Sequence, residues 1–382
     1  MPVPIKTRVI VGLSGGVDSA VAALLVKHQG YAVEGLFMDN WEDDEEQHYC
    51  TSAEDFQDAR QICELLDIPL HKVNFSGEYR ERVFKYFLAE YAAGRTPNPD
   101  VMCNNEIKFK VFLEYAMRLG AQLIATGHYV RSEKTHGGIR LLRSHDAKKD
   151  QSYFLHAISQ KALCMSLFPV GSMLKREVRA RARDAGFANH AKKDSTGICF
   201  IGERKFRQFL AKYMPAQPGN IETPTGEVLG THQGLMYYTL GQRQGLGIGG
   251  RRGSPGTPWY VATKDLHRNV LVVVQDHDHP LLHQQSLSAE NLHWISGAAP
   301  APQFNCTAKS RYRQVDQACQ VTIVDAQHCR VEFEQSQRAL TPGQYVVFYK
   351  NDECLGGGVI NQVGPAANSN LSTVAIRTRT AA

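Results

Sequence analysis

The stretch Arg8-Val9-Ile10-Val11-Gly12-Leu13-Ser14-Gly15-Gly16-Val17-Asp18-Ser19, followed by a largely apolar run from Ala20 to His28, decides the fold. It reads as a buried strand that passes through a glycine turn into a helix. That order leaves backbone N–H groups without partners and points the positive end of a helix dipole at the same spot, which makes an anion site suited to a phosphate. A Walker-type loop would end in Gly-Lys-Ser or Gly-Lys-Thr, and no Gly-Lys pair occurs anywhere in the 382 residues. Ser14 and Ser19 offer hydroxyls and Asp18 a carboxylate instead. This donor set points to a nucleotide whose pyrophosphate is gripped as a leaving group.

Working outward, Val9 to Leu13, Ala32 to Met38, His71 to Phe75 and Gln122 to Ala125 are short, apolar and bounded by turn residues, and read as strands. Between them, Ser52-Ala53-Glu54-Asp55 reads as a capping box opening a helix with Phe56, Ala59, Cys63 and Leu66 on one face. Further helices are predicted over 78–93 and 105–119. Strands separated by helices imply crossover connections, hence an α/β domain over 1–205 with a parallel sheet and helices on both faces. Ligands in such sheets bind beyond the carboxyl ends of strands, here residues 13–16, 38–40 and Thr126-Gly127-His128. After about residue 205, prolines and the glycine-rich run 245–253 predict a small central connecting domain over 206–281. From 282 the apolar period becomes two. Gln320 to Val324, Arg330 to Glu334, Tyr345 to Tyr349 and Leu355 to Ile360 predict a C-terminal antiparallel β-barrel over 282–366, with a flexible tail over 367–382.

Composition narrows the function classes. With 43% hydrophobic and 21% charged residues the chain is of globular type. No stretch approaches the roughly 18 uninterrupted apolar residues of a membrane span, and Met1-Pro2-Val3-Pro4 does not read as a signal peptide. A cytoplasmic protein without a membrane partner is expected. Nine cysteines, an odd number with no Cys-x-x-Cys spacing, argue against a disulfide framework or a structural zinc site. A net charge of +5 leans toward nucleic acid. Lys175, Arg176, Arg179, Arg181, Arg183, Lys192 and Lys193 concentrate that charge, and on charge alone they fit an RNA-facing surface and a solvated helix face equally. Asp276-His277-Asp278-His279 alternate in direction, cannot all face one ion, and read as an exposed interdomain connection.

Two cysteine-bearing stretches differ from the rest. Asn98-Pro99-Asp100-Val101-Met102-Cys103-Asn104-Asn105 lies between predicted helices, with a carboxylate three residues before a thiol. This pairing suits a proton handler and a nucleophile, the thiolate being favoured by a helix start at Asn105. A proline-bearing turn around a buried cysteine fits the segment as well. Asp194-Ser195-Thr196-Gly197-Ile198-Cys199-Phe200-Ile201 again sets a cysteine in a polar, glycine-containing stretch. Cys50, Cys63, Cys164, Cys306, Cys319, Cys329 and Cys354 are expected to serve packing.

SGGVDS resembles the signature of the PP-loop ATP-pyrophosphatase superfamily, with its adenine nucleotide alpha-hydrolase-like fold. Taken in order, SGGVDS, NPDVMCN, LIATGHY, KDQSYFL, DSTGICFIG, YTLGQRQGLGIGG and Arg311-Tyr312-Arg313 resemble the bacterial tRNA-specific 2-thiouridylase family from residue 8 to about 360. The resemblance implies an ATP loop of Gly12, Leu13, Ser14, Gly15, Gly16, Val17, Asp18 and Ser19, with Met38 and Gly127 at the adenine and ribose. It implies that Asn98, Pro99 and Asp100 receive the target base, that Asp100 handles a proton, and that Cys103 is the nucleophile and Cys199 the persulfide carrier. It also implies tRNA contacts at His128, Lys149, Asp150, Gln151, Arg311, Tyr312 and Gln344.

The implied cofactors are ATP and Mg2+. The implied partners are tRNAs for Lys, Glu and Gln, and a sulfur-relay carrier or cysteine desulfurase as donor. In the implied reaction the C2 carbonyl oxygen of the wobble uridine is adenylated, pyrophosphate leaves, and sulfur from a cysteine persulfide displaces AMP. That sulfur arrives either by direct attack of the persulfide or as sulfide freed when Cys103 attacks it. The residues also leave open an amide-forming ligase of the same superfamily, a non-catalytic RNA-binding protein, and an iron–sulfur cluster held by Asp100, Cys103 and Cys199.

Overall fold

The computed structural model describes residues 6–41, 51–194, 206–249 and 256–364. The strand that opens the phosphate-loop reading, β1 (Arg8–Leu13), lies at the centre of a five-stranded sheet. In chain order it is followed by α1 (Val17–His28), β2 (Ala32–Asp39), α2 (Thr51–Leu65) and β3 (Leu70–Asn74). Next come two long helical runs, α3 (76–92) and α4 (99–118), then β4 (Leu123–Ala125). A hairpin of β5 (Val130–Thr135) and β6 (Gly138–Arg143) precedes the short β7 (Ser166–Leu167) and helix α5 (Lys175–Asp184). The sheet order is β3-β2-β1-β4-β7, with every pairing parallel.

Alternation along β1 explains the two-sided packing. Val9, Val11 and Leu13 face α1, Ala59 and Cys63 of α2, and Val178 and Ala182 of α5. Ile10 faces the other way, into a core with Tyr79, Phe84 and Phe87 of α3 and Ile107 and Phe112 of α4. Burial of this kind contributes about 1.5–3 kcal/mol per large apolar side chain. The strand order reverses between β1 and β4, and a crevice at the carboxyl ends of such a pair is where an open α/β sheet takes its ligand.

Two local readings are corrected. Helix α4 starts at Pro99 rather than Asn105, because Asn98 is its cap: its backbone is extended and its side chain accepts the Asp100 N–H at 3.2 Å. Pro99 loses nothing at the first helical position, where no intrahelical acceptor awaits its nitrogen. Cys103 therefore lies inside the helix, at the head of a π-helical segment Cys103–Phe112. Nor is Ser52 the cap of α2, since the helix already includes Thr51 and the Ser52 hydroxyl donates to Asp39. The predicted face of α2 holds, with Ala59, Cys63 and Leu66 buried and Phe56 edge-on to Phe37.

Beyond α6 (Phe206–Ala211), a four-stranded central sheet contains β8 (Gly219–Glu222), β9 (Val228–His232), β10 (Trp259–Asp265) and β11 (Val270–Gln275). Residues 276–279 connect it, largely exposed, to β12, and the His277 ring is paired with Asp278 at 2.8 Å. The last unit contains β12 (His283–Trp294), β13 (Gln303–Lys309), β14 (Gln317–Ile323), β15 (Cys329–Arg338), β16 (Tyr345–Lys350) and β17 (Glu353–Gly364). All its pairings are antiparallel, and β12 pairs with β17 to close the barrel and remove its edges. Strands β12 and β13 and the β5–β6 hairpin were not singled out in the sequence. The hairpin joins β17 through Leu142 opposite Glu353 and Leu141 opposite Cys354, so an early part of the chain extends the last sheet. Among the described residues, no helix is long and apolar enough to cross a membrane.

Candidate active site

The loop after β1 is shaped as an anion cradle. Gly16 precedes α1 in an extended conformation and no side chain caps the helix, so its first-turn N–H groups face outward unclaimed by a cap. The Ser14 N–H donates to the Ser19 hydroxyl at 3.2 Å, and that hydroxyl donates to the Gly16 carbonyl at 3.0 Å. Gly15, at φ +71°, adopts the left-handed conformation, and a Cβ there would stand 2.4 Å from the Asp55 carbonyl oxygen. Gly127 presses from β4, where a Cβ would meet the Ser19 nitrogen at 2.6 Å and the Asp18 carbonyl carbon at 2.7 Å. Met38 reaches over Gly12, its methyl carbon 3.8 Å from where a Cβ on Gly12 would lie. The structure thus brings Gly12 to Ser19, Met38 and Gly127 together at the carboxyl ends of β1, β2 and β4, where an uncapped helix start and serine hydroxyls fit a phosphate chain.

A lysine that sequence reasoning missed completes it. Lys175, at the start of α5, places its ammonium 2.8 and 2.7 Å from the two carboxylate oxygens of Asp18, and Asp18 also accepts the Tyr129 hydroxyl at 2.7 Å. The same ammonium is 2.7 Å from Asp194, which further pairs with Lys149 at 2.5 Å and Arg179 at 3.0 Å. Burial pushes the Asp194 carboxyl up, and the hydrogen bonds from Lys149 and Lys175 outweigh it, leaving it at about 2. Lys192 pairs with Asp55 and Asp58. The basic cluster therefore divides: Lys175, Arg179 and Lys192 face acids around the loop, while Arg176, Arg181 and Arg183 are exposed. The available signal was a loop with no lysine of its own beside a cluster with lysines to lend.

The turn Thr126-Gly127-His128 links this cradle to α4. His128 is buried, its Nε2–H donating to Asn104 Oδ1 at 3.2 Å and its Nδ1 accepting the Thr126 hydroxyl at 2.8 Å. Burial holds its pKa well below the ordinary value, so the ring is neutral. Asn104 follows Cys103, which is 2% exposed. One turn earlier, burial raises the Asp100 carboxyl despite Lys108, so Asp100 holds its proton to a higher pH than an ordinary aspartate. Cys199 and Cys50 lie outside the described residues.

The other predicted contacts divide by direction. The Asp150 carboxylate is turned inward, accepting the Ser144 and Ser152 N–H groups at 3.1 and 3.3 Å and the Ser152 hydroxyl at 2.8 Å. Gln151 grips the Tyr129 backbone through both its side chain and its own N–H. Arg311 donates to the Arg338 carbonyl, and Tyr312 packs on Phe154 with ring centres 4.4 Å apart. Gln344 donates to the carbonyls of Thr96 and Pro97, directly before Asn98. Of the cysteines expected to serve packing, Cys63, Cys319, Cys329 and Cys354 are buried, whereas Cys164 is exposed and Cys306 half-buried. A cavity of about 830 Å³ runs along α4, lined by Met102, Phe109, Met117, His156 and Tyr345 among others, with none of the loop residues in its wall. Volume does not locate this site; the donor chemistry does.

Residues 7–203 match the family model described as "tRNA methyl transferase HUP domain", 207–275 the "tRNA methyl transferase PRC-barrel domain", and 284–360 the "Aminomethyltransferase beta-barrel domain". The chain is 60% identical over 358 residues to the tRNA-specific 2-thiouridylase MnmA of Methylococcus capsulatus, covering 93% of this chain and 96% of that one. The chain belongs to the MnmA family. The MnmA protein of Chromohalobacter salexigens is 61% identical over 353 residues, covering 92% of each chain, and that of Marinobacter nauticus is 58% identical over 362 residues, covering 94% and 92%. Family membership thus extends over all three units, so the loop, α4 and the barrel are parts of one MnmA architecture.

Proposed function

We propose that this protein uses ATP to thiolate C2 of the wobble uridine, position 34, in tRNA. The observation that carries the reading is the three-residue turn after β4. Gly127 abuts the phosphate loop at Asp18 and Ser19, while the next residue, His128, is hydrogen bonded to the neighbour of Cys103. A nucleotide-activating site and a thiol are thereby tied through adjacent residues. The family models speak of methyl transfer, but an anion cradle beside a buried thiol suits activation of an oxygen and its replacement by sulfur, and the curated relatives are named for thiolation.

The uridine C2 oxygen is a poor leaving group. Attack of that oxygen on the α-phosphorus of ATP releases pyrophosphate toward Ser14 to Ser19, with Met38 and Gly127 at the adenosine. Sulfur then adds at C2, and AMP departs with the oxygen. Asn98, Pro99 and Asp100 hold the everted base, and the Asp100 carboxyl, its affinity for a proton raised by burial, serves the proton transfers. Cys199 carries the persulfide. Either Cys103 attacks Cys199 Sγ and frees sulfide, which adds at C2, or the persulfide adds at C2 and Cys103 then attacks Cys199 Sγ to break the S–S bond. Both routes leave a Cys103–Cys199 disulfide to be reduced by an external thiol. Magnesium would be held chiefly by phosphate oxygens and would neutralise charge on the triphosphate. The tRNA contacts we assign are His128, Lys149, Asp150, Gln151, Arg311, Tyr312 and Gln344. The inward side chains of Asp150 and Gln151 leave their role to shaping the Tyr129 turn, and Lys149, half-buried, is paired with Asp194. Substrates would be tRNAs for Lys, Glu and Gln in the cytoplasm, and the donor a sulfur-relay carrier or cysteine desulfurase. We divide the chain at 205, 281 and 366 into the ATP domain, central domain, barrel and tail.

The test is mass spectrometry of anticodon nucleosides after incubation with tRNA, Mg-ATP and a persulfide donor. A 2-thiouridine at the wobble position that requires both Cys103 and Cys199 is expected. ATP consumption with no thiolated wobble uridine would overturn the proposal.

A further inference from the structure

The linker between α3 and α4, residues 93–98, aims the Asn98–Asp100 turn and sets where α4 begins. Its backbone is held from outside the parallel-sheet unit. From the central sheet, Lys264 of β10 donates to the Gly94 carbonyl at 3.0 Å. From the barrel, Gln344 donates to the Thr96 and Pro97 carbonyls at 2.7 and 3.3 Å, and the Pro342 carbonyl accepts the Thr96 N–H at 3.0 Å. The hydroxyls of Thr96 and Thr239 are 3.4 Å apart. The fit is close on both sides. Gly343, at φ +90°, lies where a Cβ would stand 2.9 Å from the Thr96 nitrogen, and Leu266 fills the space over Gly94 to within 2.5 Å of a Cβ position.

The Lys264 contact is chemically unusual. Among the described residues no carboxylate pairs with this ammonium, and burial lowers its pKa to about 8. A desolvated ammonium without a counter-ion is a poor choice for stability alone, since an apolar side chain of the same length would avoid the desolvation. What it supplies is a charge-assisted bond to one carbonyl of the linker.

We infer that Lys264 and Gln344 are positioning residues, clamping residues 94–97 from two other units so that Asn98, Asp100 and Cys103 are held in register with the phosphate loop. The importance of that register for catalysis rests on the thiolation reading; the clamp itself does not. Lys264 makes the cleaner test, because no tRNA contact is assigned to it.

The experiment compares full-length wild type with Lys264→Met, which keeps the apolar stem, and Lys264→Arg, which keeps the charge. Amide hydrogen exchange without tRNA reads the clamp. Residues 96–104 are expected to exchange about tenfold faster in Lys264→Met, the size of one lost charge-assisted hydrogen bond, with α1 unchanged, global stability held or raised, and Lys264→Arg close to wild type. Turnover on tRNA should fall about tenfold in Lys264→Met with KM for tRNA within about twofold, since the loss falls on the reacting geometry. Gln344→Met should repeat the exchange result. Unchanged exchange over 96–104 in both Met variants would overturn the clamp, as would a raised tRNA KM at unchanged kcat, which would make Lys264 an RNA contact. A wild type that exchanges as expected but never thiolates tRNA would refute the functional proposal and leave the clamp standing on the exchange result.

Discussion

Adding one methyl group at Gly127 separates a site built by close backbone approach from one built by side chains alone. The new Cβ would lie 2.6 Å from the Ser19 nitrogen and 2.7 Å from the Asp18 carbonyl carbon, against an ordinary contact of 3.4 Å or more, so the shortfall is about 0.8 Å. Both obstructing atoms are backbone in the first turn of α1, and neither can swing aside as a side chain would. Relief requires β4 and α1 to part by most of that shortfall. Overpacking of this kind costs about 1–3 kcal/mol, and a displacement near 1 Å in reacting geometry can lower turnover about 100-fold. The perturbation is Gly127→Ala, with Gly77→Ala as a matched control, because a Cβ at Gly77 meets nothing within 4 Å and its φ is not in the left-handed region. Titration calorimetry with a non-hydrolysable ATP analogue should show affinity lowered about tenfold or more in Gly127→Ala. Pyrophosphate release in the presence of tRNA should fall about 100-fold, and urea unfolding should lose about 1–3 kcal/mol. If Gly127→Ala matched Gly77→Ala in affinity and turnover to within about threefold, the argument from close approach would be wrong.

Other consequences follow from charge and burial. Lys175→Met removes the ammonium between Asp18 and Asp194, so a carboxylate would face the triphosphate without its partner; affinity for the same ATP analogue should drop about 10- to 100-fold, about 1.4–2.8 kcal/mol, and unchanged binding would show that Lys175 serves the apo loop only. The buried His156 ring donates from Nδ1 to the Tyr153 carbonyl at 2.8 Å, and burial lowers its pKa from 6.5 to about 4. The unfolded chain therefore takes up a proton below pH 6.5 that the folded chain refuses until about 4, so stability falls with pH across that window by up to about 3 kcal/mol. His156→Phe should lose less stability between neutral pH and pH near 4.5 in urea titrations, and a slope equal to wild type would remove His156 from the account. His128, also neutral by burial, adds loss in the same direction.

How much of this was readable in advance depends on how far apart in sequence the cooperating groups lie. The cradle was legible because strand, glycine turn and helix are consecutive and each states its own conformation: an unbroken apolar run for β1, glycine where the turn takes the positive φ of Gly15, and no helix-breaking residue in α1. The start of α4 was misread for a local reason. Asn98 and Pro99 form a cap and a first helical residue, but with Pro97 just before them they also look like a turn. The π-helical segment that follows then shifts the apolar spacing away from the ordinary 3.6-residue period, so the pattern seems to begin only at Asn105. Lys175 was invisible as a site residue because its partner Asp18 is 157 positions away, and a cationic cluster by itself does not say which of its members meets an acid. The resemblance singles out Gln344 as a tRNA contact, but its bonds to the carbonyls of Thr96 and Pro97 were hidden for the same reason, at separations of 248 and 247 residues. Side-chain direction is the common factor. Asp150 and Gln151 carry the polarity of surface residues, yet their bonds run inward to Ser144, Ser152 and Tyr129, and residue type alone does not give that direction. Local conformation is encoded residue by residue, whereas the choice of which polar groups meet is made by the closure of three units on one linker.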